Sequence, residues 1–123
     1  GWRGAVAGVV PMAIEAFSHV PGRLIVAIGP HIRVSAFEIG EDVADAMDRV
    51  ADGVSVVDRT SDKPHGDLRA LVHSQLVRAG VPHDAIDDVG ECTYANAAHF
   101  FSHRRDHGVT GRHLSAIVAR GPA

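Results

Sequence analysis

The sequence predicts an α/β fold, in the form of an α+β sandwich whose mixed sheet closes in a C-terminal antiparallel hairpin. Three observations predict it. Apolar residues recur every three or four positions in several segments, which is typical of helices with one buried face. Short continuous apolar runs such as "LIVAIG" are typical of buried strands. Two extended segments flank the turn "HGVTG" near the C-terminus.

Three helices are predicted from the apolar stripes. Residues 5–20 carry the first stripe, and because Pro11 cannot sit unstrained in a helix interior, this helix begins near Gly8 or kinks. A second helix, over residues 41–50, has acidic residues in its first turn that complement the helix dipole. Residues 67–80 have the clearest helical pattern of the chain.

The predicted strands fall between and after these helices. Residues 24–29 form a continuous apolar run, which predicts a strand buried on both faces. Further strands are predicted within residues 53–58 and 87–94. Residues 101–106 and 112–119 are predicted to pair as the closing hairpin.

Length and composition exclude several classes of protein. A chain of 123 residues is enough for a single domain or for half of a larger one, and 46% hydrophobic residues argue against disorder. No apolar run is long enough to cross a bilayer, and a net charge of -3 does not recruit nucleic acid or acidic membranes. The single cysteine, Cys92, fits a reducing compartment. We therefore predict a cytoplasmic protein with neither nucleic-acid nor membrane partners.

The basic stretch "FFSHRRDHGVTGR", residues 100–112, is the first candidate site. In an extended strand, His103 and Arg105 point to one side and Arg104 to the other, while Arg112 opens the return strand. Guanidinium groups near the mouth of a hairpin suit a phosphate or an oxyanion. A solvated hairpin that carries an Arg–Asp pair explains the same residues, and the sequence leaves both alternatives open.

Other side chains have a chemical and a structural interpretation. Glu38 could act as a general base or bind ribose hydroxyls, but capping of the helix that follows is favoured. Cys92 could be a nucleophile, but we favour a buried core cysteine. His103 and His113 could meet across the hairpin, although two ligands do not make a zinc site.

Four blocks in order carry a family resemblance: "GWRGAVAGVV", "AIGPHIRVSAFEIG", "ECTY" and "FFSHRRDHGVTGR". Their order and spacing resemble the YfiH-like family, whose members have been described as laccase-like polyphenol oxidoreductases, peptidoglycan-editing factors and zinc-dependent purine nucleoside phosphorylases. The resemblance extends over essentially all 123 residues. Because the family chain is about twice as long, this sequence is similar to its C-terminal half.

The resemblance implies phosphorolysis of adenosine, inosine, guanosine and methylthioadenosine, with adenosine deamination as a second activity. Purine nucleosides and phosphate are the implied partners. Within the family motifs, Arg105 is the implied catalytic residue. The implied substrate-binding residues are Arg3, Glu38, His103 and Arg112.

The resemblance also implies zinc as the cofactor of the longer parent chain. The family holds its zinc with two histidines and one cysteine. The resemblance places the cysteine and one histidine in the N-terminal half, and the other histidine directly before "GWRG". No ligand therefore falls on a residue of this sequence, and we expect these 123 residues to be inactive alone and to associate with the N-terminal half or to form a homo-oligomer.

Two alternative functions remain at this point. The first is a hydrolase that edits peptidoglycan precursors, which is another activity described for the same family. The second is a binding module that keeps the fold without catalysis.

Overall fold

Helices and short strands alternate along the computed structural model, which describes residues 1–121. The helices are α1 (Trp2–Val6), α2 (Val9–Ala16), α3 (Glu41–Arg49) and α4 (Leu68–Arg78). The strands are β1 (Val26–Ile28), β2 (Val57–Asp58), β3 (His65–Gly66) and β4 (Ile86–Asp88). Short 3₁₀ helices cover Pro21–Arg23 and His83–Ala85. Within residues 1–121, none of the helices is long and apolar enough to span a membrane.

The first predicted helix is divided in two. Gly8 has a φ of 85°, in the left-handed region that favours glycine, and it separates α1 from α2. Pro11 then lies in the first turn of α2. Because N–H groups in a first turn make no hydrogen bond within the helix, the N–H that proline lacks costs no helical hydrogen bond there. The predicted start near Gly8 is thus confirmed for α2, and α1 begins earlier than the prediction, at Trp2.

The other two helices lie where they are predicted. α3 begins directly after Gly40 and carries Glu41 and Asp42 in its first turn. α4 begins after Asp67, whose carboxylate accepts a hydrogen bond of 2.9 Å from the N–H of Ala70.

Parallel and antiparallel pairing both occur, which confirms the mixed α/β class. β1 pairs in parallel with β4, with Val26 opposite Ile86, and an isolated bridge from His31 to Cys92 continues that direction. β2 pairs antiparallel with β3, with Val57 opposite Gly66. β1, β2 and β4 are shorter than the segments predicted as strands there, and β3 lies in a segment for which no strand is predicted.

The predicted C-terminal hairpin is wrong. Residues 103–108 form turns, and residues 109–121 contain neither helix nor strand. The N–H of Asp106 bonds to the carbonyl of Ser102, and His107 and Gly108 both have positive φ. The chain therefore curls after Ser102 instead of extending, which invalidates the alternation of side chains assumed for residues 101–106.

The core contains two apolar clusters. The larger one includes Phe37, Met47 and Leu71, and the smaller one includes Ile14 and Leu76. The prediction that residues 24–29 are buried on both faces is wrong for these 121 residues, because Ile25 is 79% exposed and Ala27 is also exposed.

Asp88, at the end of β4, forms hydrogen bonds with three segments: the one that contains Arg33, helix α4 and the loop at Gly90. Its carboxylate accepts two hydrogen bonds from the Arg33 guanidinium, of 2.8 and 2.5 Å, and one of 3.0 Å from Arg69 on α4. It also accepts the backbone N–H of Gly90. The hydrogen bonds from Arg33, above all, hold the pKa of the Asp88 carboxyl well below its usual range, although burial opposes them.

Candidate functional site

A cavity of 430 Å³ lies beside the N-terminus of α3. It is the candidate site because segments far apart in sequence meet there and because it contains one predicted site residue. Its aromatic and charged lining consists of Trp2, Glu38, Glu41, Asp62, Lys63 and Arg104. A larger cavity, of 490 Å³, lies between α2 and α4, but it contains none of the predicted site residues.

Backbone pairing positions Glu38 in this cavity. The N–H of Ile39 bonds to the carbonyl of Pro64 at 2.8 Å, and the N–H of Gly66 bonds to the carbonyl of Phe37 at 2.9 Å. A side chain on Gly66 would not fit, since a Cβ there would lie 2.9 Å from the Phe37 ring. Residues 37–39 are thereby held against residues 64–66, with the Glu38 side chain toward Lys63.

Glu38 forms an ion pair instead of capping a helix. Its Oε1 lies 3.2 Å from Lys63 Nζ, and both side chains are more than half exposed. Gly40 is the N-cap residue of α3, and no side chain caps that helix. The predicted capping role of Glu38 is therefore wrong, and its carboxylate is available at the cavity.

Arg104 closes another part of the cavity wall. Its Nη1 donates a hydrogen bond of 2.5 Å to the carbonyl of Glu38, and its guanidinium carbon lies 5.3 Å from the centre of the Phe37 ring. These two contacts fix a positive charge beside the Glu38–Lys63 pair.

Arg105 points away from the cavity into the protein. Its guanidinium donates to the carbonyls of Thr93 and Phe100, each at 2.9 Å, and to both carboxylate oxygens of Asp106. Hydrogen bonds from Arg105 are the largest of the effects that lower the pKa of Asp106. Because Arg105 uses all three guanidinium nitrogens within the protein, its contacts are those of a residue that positions the loop over 93–100.

Arg3 lies next to the cavity without lining it. Its guanidinium carbon is 4.8 Å from the centre of the Trp2 ring, and its side chain is exposed. Trp2 is half-buried and lines the cavity directly. Arg3 therefore contacts the indole of Trp2, which lines the cavity, but does not line the cavity itself.

The two remaining predicted residues are exposed, His103 in a turn and Arg112 in the segment after it that contains neither helix nor strand. The His103 ring packs beside Gly108, and Arg112 makes no side-chain hydrogen bond or ion pair within residues 1–121. His113 does not pair with His103, because the hairpin is absent. Its Nε2 accepts the N–H of Phe101 at 3.0 Å, and its ring lies against Phe100 and Phe101.

Cys92 is half-buried and belongs to neither core cluster, which corrects the prediction of a buried core cysteine. Burial is the largest single effect on its thiol and would raise the pKa. Backbone N–H groups of Arg33, Ala95 and Tyr94, together with the Arg33 charge, outweigh it, so the pKa of Cys92 is lowered.

The side chains of residues 1–121 do not by themselves fit the implied zinc. Within residues 1–121, no three His, Cys, Asp or Glu side chains converge in a way that could hold a metal ion. We therefore assign zinc no ligand and no step among these residues.

Sequence reasoning missed Trp2, Lys63 and Arg104. Lys63 belongs to the polar loop between β2 and β3, and the backbone pairing of residues 37–39 with residues 64–66 brings it to Glu38. The one available signal was that Lys63 is the single lysine among twelve basic residues. Strand alternation predicted that Arg104 lies on the side opposite to Arg105, and the turn over residues 103–108 removes that alternation.

Comparison with known proteins decides the family. A family model described as multi-copper polyphenol oxidoreductase laccase matches residues 1–120. The chain belongs to this family. Purine nucleoside phosphorylase YfiH of Escherichia coli (strain K12) is 36% identical over 118 residues, which cover 95% of this chain and 47% of that protein. The predicted YfiH-like resemblance is therefore confirmed.

Two further relatives agree. The crystal structure of YlmD from Geobacillus stearothermophilus has a TM-score of 0.83 and 33% identity, and the match covers 90% of this chain and 44% of that one. A protein named adenosine deaminase RL5, from an unknown prokaryotic organism, is 32% identical over 98% of this chain and 48% of its own length. The chain thus spans about half the length of the curated relatives that it matches.

Proposed function

We propose that these residues form part of a purine nucleoside phosphorylase, acting within a complete chain of the length of the curated relatives. The names of those relatives carry this proposal, since the proteins that match the chain over most of its length include several named purine nucleoside phosphorylases. The substrates would be a purine nucleoside and phosphate, and the reaction would take place in the cytoplasm. The 123 residues alone would be inactive.

The lining of the cavity supports this proposal physically. A volume of 430 Å³ lies in the range of small-molecule sites, which is about 300–1,000 Å³. Trp2 offers a flat face for a purine, and the carboxylate of Glu38 can accept hydrogen bonds from ribose hydroxyls. Lys63 and Arg104 are the two cations of a lining that also holds the carboxylates of Glu38, Glu41 and Asp62, and they are the groups that a phosphate would contact.

Phosphorolysis needs these charges in fixed positions. As the purine leaves, positive charge develops on the ribose, and phosphate attacks the anomeric carbon. Cations that hold the phosphate in line lower the barrier by orientation and by electrostatics. Arg104 donates to the backbone carbonyl of Glu38 and lines the same cavity as the Glu38 carboxylate, which supports this role.

Several predicted residues keep a place in this proposal. Arg3, His103 and Arg112 are exposed, so they stay proposed substrate contacts. For Arg105, the predicted catalytic role stays a prediction, and its contacts favour a positioning role in which the guanidinium holds the loop before the basic turn.

The activity test uses the complete chain with inosine. We expect hypoxanthine to be released only when phosphate is present, together with ribose 1-phosphate in equal amount. Release of hypoxanthine at the same rate without phosphate would indicate hydrolysis and would contradict a phosphorylase. No turnover of any purine nucleoside by a folded, metal-loaded chain would favour the non-catalytic alternative.

Adenosine deamination is a second candidate, because one relative is named an adenosine deaminase. Deamination does not need phosphate, whereas phosphorolysis does. Conversion of adenosine to inosine without phosphate would support it, whereas adenine release that needs phosphate would support phosphorolysis alone.

We propose that the other half of the complete chain covers the apolar side chains near the C-terminus. Leu114 is 94% exposed, Ile117 76% and Val118 85%, which is unusual for clustered aliphatic residues. The curated relatives are about twice as long as this chain, so they contain enough additional residues to cover such a surface.

The substitution Leu114→Asp in the complete chain tests whether the other half covers this surface. If Leu114 is covered, the substitution places a charge in an apolar contact and lowers the free energy of unfolding by about 1–3 kcal/mol. Ser18→Asp, at an exposed position of a different segment, is the control. Equal effects of the two substitutions in urea unfolding would contradict the proposal. If stability depends on protein concentration, a second copy covers the surface instead.

A further inference from the structure

Two histidines contact each other outside the cavity, where α4 approaches the 3₁₀ helix His83–Ala85. His83 Nδ1 lies 2.9 Å from His73 Nε2, and the ring planes meet at 77°. His73 is half-buried and His83 is exposed. Neither residue lines the cavity or takes part in the proposed reaction.

We propose that His73 and His83 form a two-histidine site for a divalent transition-metal ion of tetragonal geometry, Cu²⁺ or Ni²⁺. Metal–imidazole bonds are about 2.0–2.1 Å long, so nitrogens 2.9 Å apart subtend an angle of about 90° at a shared metal ion. That angle fits neighbouring positions of square-planar or tetragonal Cu²⁺ and Ni²⁺.

The backbone holds the two rings near each other. His73 lies within α4, and His83 begins a 3₁₀ helix only a few residues after α4 ends. Gly80, with a φ of 97°, makes the turn between them, and the N–H of Val81 bonds back to the carbonyl of Leu76. Val81 is 2% exposed, so the connection is anchored in the smaller core cluster. Ligands on such elements need little ordering when a metal ion binds.

The ionisation of the pair also suits a metal ion. Imidazole binds metals in its neutral form, and burial, followed by the charges of His83 and Arg69, lowers the pKa of His73. Without metal, one proton lies between the facing nitrogens. When metal binds, the ring that donates this proton changes to its other neutral tautomer, so that both rings carry their proton on the remote nitrogen. Arg69 is itself paired with Asp88 at 3.0 Å, which reduces its repulsion of a cation.

The test is electron paramagnetic resonance of the complete, tag-free chain with one equivalent of Cu²⁺. We expect a tetragonal signal with hyperfine structure from two imidazole nitrogens. His73→Asn and His83→Asn should each abolish that signal, whereas His19→Asn, at another exposed histidine, should retain it. A metal ion held elsewhere in the chain does not respond to these substitutions.

Two outcomes would overturn the proposal. The first is a copper signal that survives both His73→Asn and His83→Asn in variants that remain folded by circular dichroism. The second is the absence of bound copper in the unsubstituted chain, which would leave the pair as a hydrogen bond only. A thermal-unfolding series with Ni²⁺ provides a second measurement, in which the unsubstituted chain gains stability and the His83→Asn variant does not.

Discussion

Replacement of Asp88 by Asn is expected to lower the free energy of unfolding by about 2–4 kcal/mol, because it leaves two arginines without their shared counter-charge. The side chains of Arg33 and Asp88 are only 19% and 16% exposed, so water cannot fully replace the lost contacts. Asn keeps the size of the side chain, which confines the effect to charge and hydrogen bonding. Urea unfolding at neutral pH measures the difference.

The pH dependence of this effect has a definite sign. Since the pKa of Asp88 is depressed in the folded protein, its contribution is fully present above the unfolded value of about 4 and is lost as the pH falls below it. The difference in the free energy of unfolding between the unsubstituted protein and Asp88→Asn should therefore become smaller below about pH 4. Arg59→Ala, which breaks the exposed Arg59–Asp48 pair of 2.9 Å, is the control and should change stability little. An equal loss in both variants would contradict the role assigned to Asp88.

The helices of this protein were predictable because their signals are local. An N-cap such as Asp67, a left-handed glycine such as Gly8 and a repeat of apolar residues act within one or two helical turns. Strand burial was not predictable, because it depends on what packs on each face. The run that includes Ile25 has the composition of a doubly buried strand, yet one of its faces is open here.

The candidate site was predictable only in part, since it is built from long-range pairings. Glu38 was selected from its place after an apolar segment, and it does line the cavity. Its contact with Lys63 results from the backbone pairing of residues 37–39 with residues 64–66. Such a long-range pairing produces no periodic pattern in the sequence. Arg104 and Arg105 were assigned to faces by strand alternation. The chain turns there instead, since the N–H of Asp106 bonds to the carbonyl of Ser102 and residues 103–108 form turns.

Arg104→Ala and Arg105→Ala should separate the two adjacent arginines in the complete chain. If Arg104 binds phosphate, its loss should raise the KM for phosphate and lower kcat/KM by roughly 30- to 1,000-fold, which corresponds to about 2–4 kcal/mol. Stability should change little, because Arg104 is exposed. Arg105→Ala should instead lower stability and activity together, since it removes hydrogen bonds to the carbonyls of Thr93 and Phe100.

The readout that distinguishes binding from positioning is the phosphate KM of the fraction that remains folded. For Arg105→Ala, this KM should stay near that of the unsubstituted chain once activity is corrected for unfolded protein. Arg104→Lys keeps the charge but loses the planar guanidinium, so it should recover part of the phosphate binding that Arg104→Ala loses. If the phosphate KM rises only in Arg105→Ala, with unchanged thermal stability, then Arg105 contacts the substrate. In the complete site, Arg105 would then have to donate to phosphate oxygens in place of its present acceptors.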